Sequence, residues 1–548
     1  MAHALAGKPV QEQDIIDVQT IVDAYFDNVP DMTNPTQLVS FGTSGHRGTS
    51  VDGTFTDLHV AAITQAICDG RKQFGATGPI FVGQDTHALS QPALVTVLEV
   101  LAGNGVTAMV DCDMAFVPTP SVSRAIIRYN EEHDDKADGI IITPSHNPPD
   151  NGGIKYNTII GGPADTVVTK WIEMCANEYL TAYCESEDFK RISIDNIEPT
   201  AQVPYDYKGL YVEELGDVIN MEAIKAAGPK VLVDTLGGSG ASYWNAIKER
   251  YGLDLTIIHD DYDPTFSFMT YDHDGKVRMD CSSTYVMASV INRIGDFDLA
   301  VGNDPDYDRY GIVVSSGLIS ANIFLTLAAR YLFTTRGWKN KGVGKTVVCT
   351  TMIDKWAADA ETPVFEVPVG FKYFSQLLFD GAIGIGGEES AGASFLKKDG
   401  TVWTTDKDGM IMALLSMEIM AVMGKSALKM TDEFVEEFGN PSFGRIDAPC
   451  KKEQKQILKQ MSAELITATT VDGDPITNIR TTSLYNDMPI DGVRVETDKG
   501  WFVARPSGTE DLYKIYGESY KGDLGLVALL TAGEEIVNAA LNGTIETE

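Results

Sequence analysis

IFVGQD (80–85) begins the stretch of sequence that decides the fold of this chain. It leads into the helix-like run PALVTVLEVLAGNG (92–105) and then into TAMVDCD (107–113). A third apolar run, GIIITPSHNP (139–148), ends in a polar loop. Continuous Val and Ile runs separated by helices indicate buried, largely parallel strands. The stretch therefore predicts an α/β sheet whose functional loops follow the carboxyl ends of its strands.

The same order of strand, helix, strand and loop-ended strand occurs twice more. The second copy comprises VLVDTLGGSG (231–240), SYWNAIKERYGL (242–253), LTIIHDD (255–261) and LAVGNDPDYD (299–308). The third comprises TVVCTTMID (346–354), KWAADA (355–360), VFEVP (364–368) and AIGIGGEES (382–390). The last strand of every copy ends in a dense polar loop, and coincidence is a poor explanation for three such loops in equivalent places.

The repeat divides the chain into four predicted domains. Three α/β domains with parallel or mixed sheets cover residues 1–205, 206–320 and 321–440. After PSFGR (441–445) the pattern changes to short alternating strands, which predicts a smaller α+β domain over 441–548. The sequence has no low-complexity tract or Pro-rich linker, so we expect the four domains to pack around a central cleft.

The composition excludes several classes of partner. The chain has 548 residues, of which 43% are hydrophobic and 22% charged, as in globular proteins with sizeable cores. Its 43 basic and 78 acidic residues give a net charge of −35. Nucleic acid and anionic membranes would be repelled by such a charge, so we expect neither as a partner.

The cysteines and the apolar segments indicate a cytoplasmic protein. Seven cysteines without CxxC clusters predict neither a disulfide framework nor a zinc site. The start, MAHALAGKPVQEQD, lacks the basic and apolar regions of an export signal. The most apolar run, Met410 to Met423, is too short to span a bilayer and contains Glu418.

The loop of the first copy, TPSHNPPDNGGIK (143–155), is a candidate phosphate site. Its prolines and glycines fix a turn and let backbone N–H groups approach an anion. Ser145 stands where a nucleophile or phosphate acceptor would be, and Lys155 could neutralise a phosphoryl group or transfer a proton. His146 adjoins Ser145, but neighbouring side chains in extended backbone point apart. An ordinary polar loop with a capping serine is the alternative.

The loop of the second copy, GNDPDYDR (302–309), is a candidate metal site. Asp304, Asp306 and Asp308 alternate, so in extended backbone their carboxylates project to one side. Clustered acids repel unless a cation lies between them, and oxygen ligands favour Mg²⁺ or Mn²⁺. A solvated acidic turn is the alternative. Arg309 fits either a phosphate contact or a plain ion pair.

The remaining polar loops offer groups that could bind a phosphorylated sugar. In GGEESAG (386–392), Glu388 and Ser390 suit sugar hydroxyls, with Lys398 following; an ordinary loop is the alternative. A guanidinium, hydroxyls and free amides that suit a phosphate dianion come from Arg505, Ser507, Gly508 and Thr509, with Lys514 on the next strand. A surface turn is the alternative there. FGTSGHRG (41–48) is similar in kind and contributes Arg47.

GVGKT (342–346) looks like the end of a nucleotide-binding P-loop, but two features argue against that function. Lys339 stands where the first glycine of the motif belongs. The segment also precedes the strand that we place at 346–354, whereas a P-loop follows its strand. We therefore do not expect a nucleoside triphosphatase.

Five motifs together resemble the α-D-phosphohexomutase superfamily, with the bacterial, α-D-glucose-specific phosphoglucomutases the most similar branch. In chain order they are FGTSGHRG (41–48), TPSHNPPDNGGIKYN (143–157), DPDYDR (304–309), GGEESAGAS (386–394) and RPSGTED (505–511). The resemblance covers nearly the whole chain. It implies a heart-shaped protein with three repeated α/β domains and a smaller fourth. The implied reaction interconverts glucose 1-phosphate and glucose 6-phosphate.

The resemblance also implies a role for each motif residue. Ser145 would be a phosphoserine that helps Asp304, Asp306 and Asp308 hold one Mg²⁺, and glucose 1,6-bisphosphate would be intermediate and activator. Arg47 and Arg309 would support the transferring phosphoryl group, with Lys155 and His146 in proton transfer or orientation. Glu388 and Ser390 would bind the sugar hydroxyls. The other phosphate would be held by Arg505, Ser507, Gly508, Thr509 and Lys514, with Lys398 a further substrate contact.

Two other functions use the same residues and stay open at this point. A metal-dependent phosphohydrolase would transfer the phosphoryl group to water, but the sugar loop and the second phosphate site favour transfer to a sugar. A non-enzymatic scaffold would be expected to lose the nucleophile or an acidic ligand, yet Ser145 and the three aspartates are present. The expected partners are hexose phosphates, and both a monomer and a homodimer are compatible with the sequence.

Overall fold

A computed structural model of the chain describes residues 3–42, 45–186, 189–506 and 512–545. Within these residues the strands form four sheets, which follow one another along the chain. The α/β class, the mixed sheets and the α+β C-terminal part are as predicted. We call the four parts unit I to unit IV, after their sheets. The domain boundaries at 205, 320 and 440 stay predictions.

Unit I contains a six-stranded sheet with the order β1-β5-β4-β2-β3-β6. Its elements are α1 Val18–Asp27, β1 His46–Thr49, α2 Asp57–Gly70, β2 Ile80–Gln84, α3 Ser90–Gly103, β3 Ala108–Asp111, α4 Thr119–Glu132, β4 Asp138–Ile142, β5 Asn151–Asn157, α5 Thr166–Ser186 and β6 Gln202–Tyr205. Strands β4, β2, β3 and β6 are parallel, while β5 runs antiparallel to β4. Strands β2 and β4 are buried along their whole length, as their continuous apolar sequence predicts.

Unit II contains a five-stranded sheet with the order β11-β10-β9-β7-β8. Its elements are α6 Tyr207–Val218, α7 Met221–Ala227, β7 Val231–Asp234, α8 Ala241–Tyr251, β8 Leu255–Ile258, α9 Ala288–Ile291, β9 Leu299–Asn303, β10 Tyr310–Val314 and β11 Gly317–Leu318. Strand β7 is parallel to β8 and β9, and β10 returns antiparallel to β9. The arrangement repeats that of β2, β3, β4 and β5 in unit I.

Unit III contains a four-stranded sheet with the order β13-β12-β14-β15. Its elements are α10 Ala321–Arg336, β12 Gly342–Thr346, α11 Met352–Asp359, β13 Val364–Val367, α12 Lys372–Phe379, β14 Ile383–Gly387, β15 Ala393–Phe395, α13 Gly409–Met423 and α14 Ala427–Phe438. Strand β12 is parallel to β13 and β14, and β15 is antiparallel to β14.

The predicted strand at 346–354 is wrong, because the strand is GVGKT itself. Gly342 and Gly344 lie in β12, where an added Cβ would come within 2.2 Å of Phe365 and 2.9 Å of Phe374. These glycines therefore serve close packing rather than a phosphate loop. The apolar residues that suggested a strand, Val347 and Val348, pack instead in a buried cluster with Trp501 of unit IV.

Unit IV contains a six-stranded antiparallel sheet with the order β16-β21-β20-β19-β18-β17. Its elements are β16 Ser442–Pro449, α15 Lys452–Lys459, β17 Thr470–Val471, β18 Asp474–Thr482, β19 Pro489–Thr497, β20 Gly500–Pro506, β21 Leu512–Ser519 and α16 Gly522–Ile545. Residues Gly522–Asn542 of α16 are long and apolar enough to span a bilayer, a helix that the sequence argument missed. Its Leu530, Val537 and Leu541 are buried in the core of unit IV.

The three polar loops occupy equivalent places in units I to III. Each joins the last parallel strand to the antiparallel strand beside it: β4 to β5, β9 to β10 and β14 to β15. One continuous apolar core extends through units II and III and includes Trp244, Phe374 and Trp403. This shared core fixes the second loop relative to the third, so that the site between them is built on rigid elements.

Candidate active site

Ser145 lies in the hairpin loop between β4 and β5 and is buried. Its backbone is left-handed, with φ of 60°, which is uncommon outside glycine and turns the side chain away from the path of the strand. The hydroxyl Oγ donates a hydrogen bond to Asp304 Oδ2 at 3.1 Å. It also lies 3.2 Å from His146 Nδ1, so the expectation that these two side chains point apart is wrong, because the backbone of Ser145 is not extended. The first and second loops, 159 residues apart, therefore meet at this hydroxyl.

Asp304, Asp306 and Asp308 lie together and are buried. Each offers a carboxylate oxygen within 4.8 Å of the others. The backbone N–H of Arg309 donates to Asp304 Oδ1 at 2.9 Å, and Thr119 Oγ1 at the start of α4 donates to Asp306 Oδ2 at 2.8 Å. Burial raises the pKa of Asp304 well above its usual value, and the charges of Asp306 and Asp308 add to that effect.

The donor set of this cluster fits a small divalent cation. Asp306 Oδ1 and Asp308 Oδ1 are buried and have no hydrogen-bond partner. Unpaired carboxylate oxygens are costly in a buried site, and a cation that they coordinate removes both that cost and their mutual repulsion. All-oxygen ligation favours Mg²⁺ or Mn²⁺ over softer metals.

Two lysines contact Asp306 and Asp308. Lys155 Nζ lies 2.6 Å from Asp306 Oδ2 and 3.1 Å from Asp308 Oδ2, and Lys407 Nζ lies 3.0 Å from Asp308 Oδ2. Burial alone would raise the pKa of Asp308, but the charges of Lys155 and Lys407 hold it below its usual value. Burial likewise opposes the charge on Lys155, yet Asp306 and Asp308 raise its pKa. Lys155 is therefore an ammonium at neutral pH.

His146 and Arg309 both lie near the carboxylate of Asp280, which is outside the cluster of three aspartates. His146 Nε2 lies 3.9 Å and Arg309 Nη1 3.5 Å from Asp280 Oδ2. Burial and the nearby charge of Arg309 lower the pKa of His146 well below its usual value. His146 is therefore a neutral imidazole. Arg309 Nε is buried without a hydrogen-bond partner and lies 3.9 Å from Asp308 Oδ1.

The third loop joins the second through backbone and side-chain contacts. The N–H of Tyr310 donates to the carbonyl of Ala391 at 3.1 Å. Glu388 is buried, and its Oε2 lies 3.9 Å from Lys407 Nζ. Burial raises the pKa of Glu388 to about 7, with Lys407 opposing the rise. Ser390 is half-buried in the same loop.

The remaining candidate residues divide between the site and other places. Arg47 on β1 stands opposite Gly153 in the first hairpin, and its charge acts on Asp306 and Arg309. Arg505 pairs in register with Lys514, and its charge acts on Glu389 in the third loop. Ser507, Gly508 and Thr509 lie outside the described residues.

The structure does not bring Lys398 to the acidic loop. Its backbone N–H donates to the carbonyl of Asp217 at 2.9 Å, and its charged neighbours are Arg336, Glu418 and Asp217. Lys397 and Gly400 close a turn in which the Gly400 N–H donates to the Lys397 carbonyl at 2.9 Å. Lys407 is the lysine that reaches Glu388.

Comparison with known protein families matches all four parts of the chain. The matches are to phosphoglucomutase/phosphomannomutase alpha/beta/alpha domain I over residues 38–182, domain II over 210–317 and domain III over 320–438, and to the C-terminal domain over 447–524. The chain belongs to the phosphoglucomutase/phosphomannomutase family. The resemblance seen in the five motifs is thereby confirmed.

Relatives and solved structures of this family cover almost the whole chain. A phosphoglucomutase from Komagataeibacter xylinus is 46% identical over 539 residues, which are 97% of each protein. Phosphoglucomutase 1 of Saccharomyces cerevisiae is 27% identical over 88% of each. The open form of pp63/parafusin, a phosphoglucomutase from Paramecium, superposes with a TM-score of 0.72 at 20% identity and covers 94% of this chain and 96% of its own.

Three residues at the site were not predicted from the sequence: Lys407, Thr119 and Asp280. Lys407 stands in TTDKDG (404–409), directly before the apolar helix α13, and that polar run was an available signal. Thr119 and Asp280 carried no local signal, because only the packing of α4 brings Thr119 to Asp306 and only the 277–283 loop brings Asp280 to Arg309.

Proposed function

We propose that the chain is a phosphoglucomutase. It interconverts α-D-glucose 1-phosphate and glucose 6-phosphate through phosphorylated Ser145, with glucose 1,6-bisphosphate as intermediate and activator. The observation that carries the proposal is the 3.1 Å contact between the strained Ser145 hydroxyl and Asp304, one of three buried clustered aspartates. The phosphoglucomutase that is 46% identical over 97% of each protein supports the choice of reaction.

The proposed cofactor is one Mg²⁺, held by Asp304, Asp306, Asp308 and an oxygen of the Ser145 phosphate. Bound there, it would neutralise the charge that spreads over the transferring phosphoryl group. Arg309 and Arg47 add positive charge near the transferring phosphoryl group. Their fixed positions mean that this stabilisation requires little reorganisation during the reaction.

Proton transfer is divided between Lys155 and His146 in this proposal. As the bond from phosphorus to Ser145 Oγ breaks and a bond to a sugar hydroxyl oxygen forms, Lys155 gives a proton to Oγ and neutral His146 takes the hydroxyl proton. The second transfer reverses both steps, because the other phosphoryl group of the bisphosphate returns to Ser145. Protons and charge therefore balance over one turnover.

The substrate is held by loops of units III and IV. Glu388 and Ser390 bind sugar hydroxyls, with Lys407 beside them. The phosphate that does not react is held by Arg505, Ser507, Gly508, Thr509 and Lys514. The bisphosphate must turn over between the two transfers, so both ends of the sugar use these groups in turn. We place the enzyme in the cytoplasm, with hexose phosphates as its only proposed partners.

A coupled assay on glucose 1-phosphate and mannose 1-phosphate tests the function. With Mg²⁺ and a trace of glucose 1,6-bisphosphate, we expect glucose 6-phosphate to form faster than mannose 6-phosphate. Ser145→Ala and chelation of the metal should each abolish turnover. Release of inorganic phosphate in place of isomerised sugar would establish a phosphohydrolase, and full activity of Ser145→Ala would overturn the phosphoserine mechanism.

A further inference from the structure

The Asp85 carboxylate is a buried hub beneath the Ser145 loop. It follows directly after β2 and is fully buried. Its Oδ1 accepts hydrogen bonds from Ser90 Oγ at 2.6 Å and from the backbone N–H of His87 at 3.0 Å. Its Oδ2 accepts from Thr143 Oγ1 at 2.6 Å and from His87 Nδ1 at 2.8 Å. None of these contacts is with the substrate groups or the metal cluster described above.

Thr143 relays the position of Asp85 to the backbone of Ser145. Its hydroxyl hydrogen points to Asp85, which leaves an oxygen lone pair directed at the loop. That oxygen accepts a hydrogen bond from the Ser145 N–H at 2.8 Å. This hydrogen bond holds Ser145 in its left-handed conformation, with φ of 60°. Such a conformation persists only where the surrounding structure imposes it.

His87 holds the other side of the same loop. Its Nδ1 faces the Asp85 carboxylate, and its Nε2 lies 3.0 Å from the carbonyl oxygen of Asn147. Both partners are acceptors, so both ring nitrogens carry hydrogen and the ring is an imidazolium. Burial opposes that charge, but Asp85 raises the pKa of His87 above its usual value. The imidazolium ties residue 147 to the carboxylate that also fixes Thr143.

We propose that Asp85 and His87 are positioning residues that clamp the loop on both sides of Ser145 and so aim its hydroxyl at Asp304. The inference rests on the proposed function, because it assigns the pair a role in phosphoryl transfer at Ser145. It predicts that loosening the clamp lowers the rate of phosphoryl transfer. Binding of the sugar phosphate should stay nearly unchanged, because the residues proposed to bind it belong to units III and IV. A misplacement of about 1 Å at a reacting atom can cost about a hundredfold in rate.

The chain offers a matched control in unit II. There His259 Nδ1 lies 2.8 Å from Asp234 Oδ1, and Asp234 ends β7, the strand equivalent to β2. Ser289 Oγ also donates to Asp234, at 2.5 Å. The pair has the same chemistry as Asp85 and His87, but Asp234 accepts hydrogen bonds from the Leu236 N–H and from Ser289 rather than from residues 143–147.

Two pairs of variants test the proposal. His87→Gln and His259→Gln compare the two histidines, while Thr143→Val and Thr143→Ser remove and retain the relaying hydroxyl. We expect His87→Gln and Thr143→Val to lower kcat about 10- to 100-fold with KM for glucose 1-phosphate within about threefold. His259→Gln and Thr143→Ser should keep kcat within about threefold of wild type. Hydrogen exchange of the Ser145 amide should accelerate in the first two variants only.

The outcomes separate the clamp from the function. Unchanged kcat and unchanged exchange in His87→Gln and Thr143→Val would overturn the clamp. An equal loss of kcat in His259→Gln would show a general effect of losing a buried pair, which would also overturn it. If wild-type protein itself lacked mutase activity, the proposed function would fail, and the exchange comparison would still decide whether the pair clamps the loop.

Discussion

Single residues in strained backbone mark all three hairpin loops. Ser145, Tyr307 and Ala391 have φ of 60°, 62° and 65°, and none is a glycine. Such residues cost about 1–3 kcal/mol each and persist where the surroundings fix them. Tyr307 shows how: its buried ring packs against Gly238 and Gly240, where an added Cβ would lie within 2.9 and 2.3 Å of the ring. We therefore expect the repeated conformation to hold the three loops in position at the site.

Lys398 was predicted from sequence to contact the substrate, whereas the structure places Lys407 near Glu388. Substituting each lysine tests which of them matters for activity. Lys407→Met removes the cation between Asp308 and Glu388, so we expect kcat/KM to fall by about 100-fold or more, an effect of the size seen for charged transition-state contacts. Lys398→Met should change it by less than about twofold. Steady-state assays of both variants make the comparison, and a larger loss in Lys398→Met would favour the sequence prediction.

Asp304→Asn tests the metal site through stability as well as activity. At a Mg²⁺ concentration 100 times its Kd, the ion should stabilise the wild-type protein by about 2.7 kcal/mol, and a tenfold weaker site would reduce this to about 1.4 kcal/mol. Metal-free variant should be no less stable than metal-free wild type, because the substitution removes a buried charge repelled by Asp306 and Asp308. Thermal unfolding with and without Mg²⁺ measures both effects, and an equal metal-induced gain in both proteins would contradict the site.

Helix α2 shows how one element depends on the protonation of a side chain at its start. His59 stands at the third position of α2, where its Nδ1 accepts from the Thr56 N–H at 3.2 Å and its Nε2 faces the carbonyl of Gln37 at 2.9 Å. These contacts suit the neutral ring. Burial lowers the pKa of His59 from 6.5 to about 3, helped by the charge of His46. The start of helix α2 is therefore stabilised by the neutral form of His59.

This depressed pKa predicts a loss of stability in mild acid. Between pH 6.5 and about 3 the unfolded chain binds a proton at His59 that the folded chain does not. Stability is therefore complete above pH 6.5 and falls as the pH drops, by about 2 kcal/mol at pH 5, or about 4–8 °C in Tm for a unit of this size. His59→Gln keeps a capping side chain at that position and should show a smaller drop between pH 8 and pH 5. Equal drops in thermal scans would refute the assignment.

At the scale of the whole molecule, unit IV is attached to unit III by the apolar cluster around Val347, Val348 and Trp501 and by buried polar contacts. Arg480 forms a bidentate pair with Glu366 of β13, and Arg494 donates to the carbonyl of Val347. Glu518 accepts from the Thr351 N–H at 3.0 Å. Contacts of this kind can break and re-form, so we expect unit IV to move when the substrate binds.

Loosening this attachment should weaken substrate binding. The double variant Glu366→Gln with Arg480→Gln avoids leaving one buried charge unpaired, and we expect KM for glucose 1-phosphate to rise about tenfold with a larger ligand-free radius of gyration by solution scattering. Lys521→Gln, which breaks pairs with Asp472 and Asp474 inside unit IV, is the matched control. Identical scattering profiles with and without hexose phosphate would argue against closure.

The sequence by itself determined the α/β repeat, the α+β end and the five motifs, because strand burial and loop chemistry are written in local residue patterns. The third copy's first strand was misplaced for a tertiary reason. The glycines of β12 are required by close packing, and Val347 and Val348 pack against unit IV, but neither fact is visible in the linear sequence. Only the tertiary structure decided that Lys407 rather than Lys398 reaches Glu388, and that Thr119, Asp280, Asp85 and His87 support the site. Such contacts depend on distances between elements far apart in sequence, and no local pattern encodes those distances.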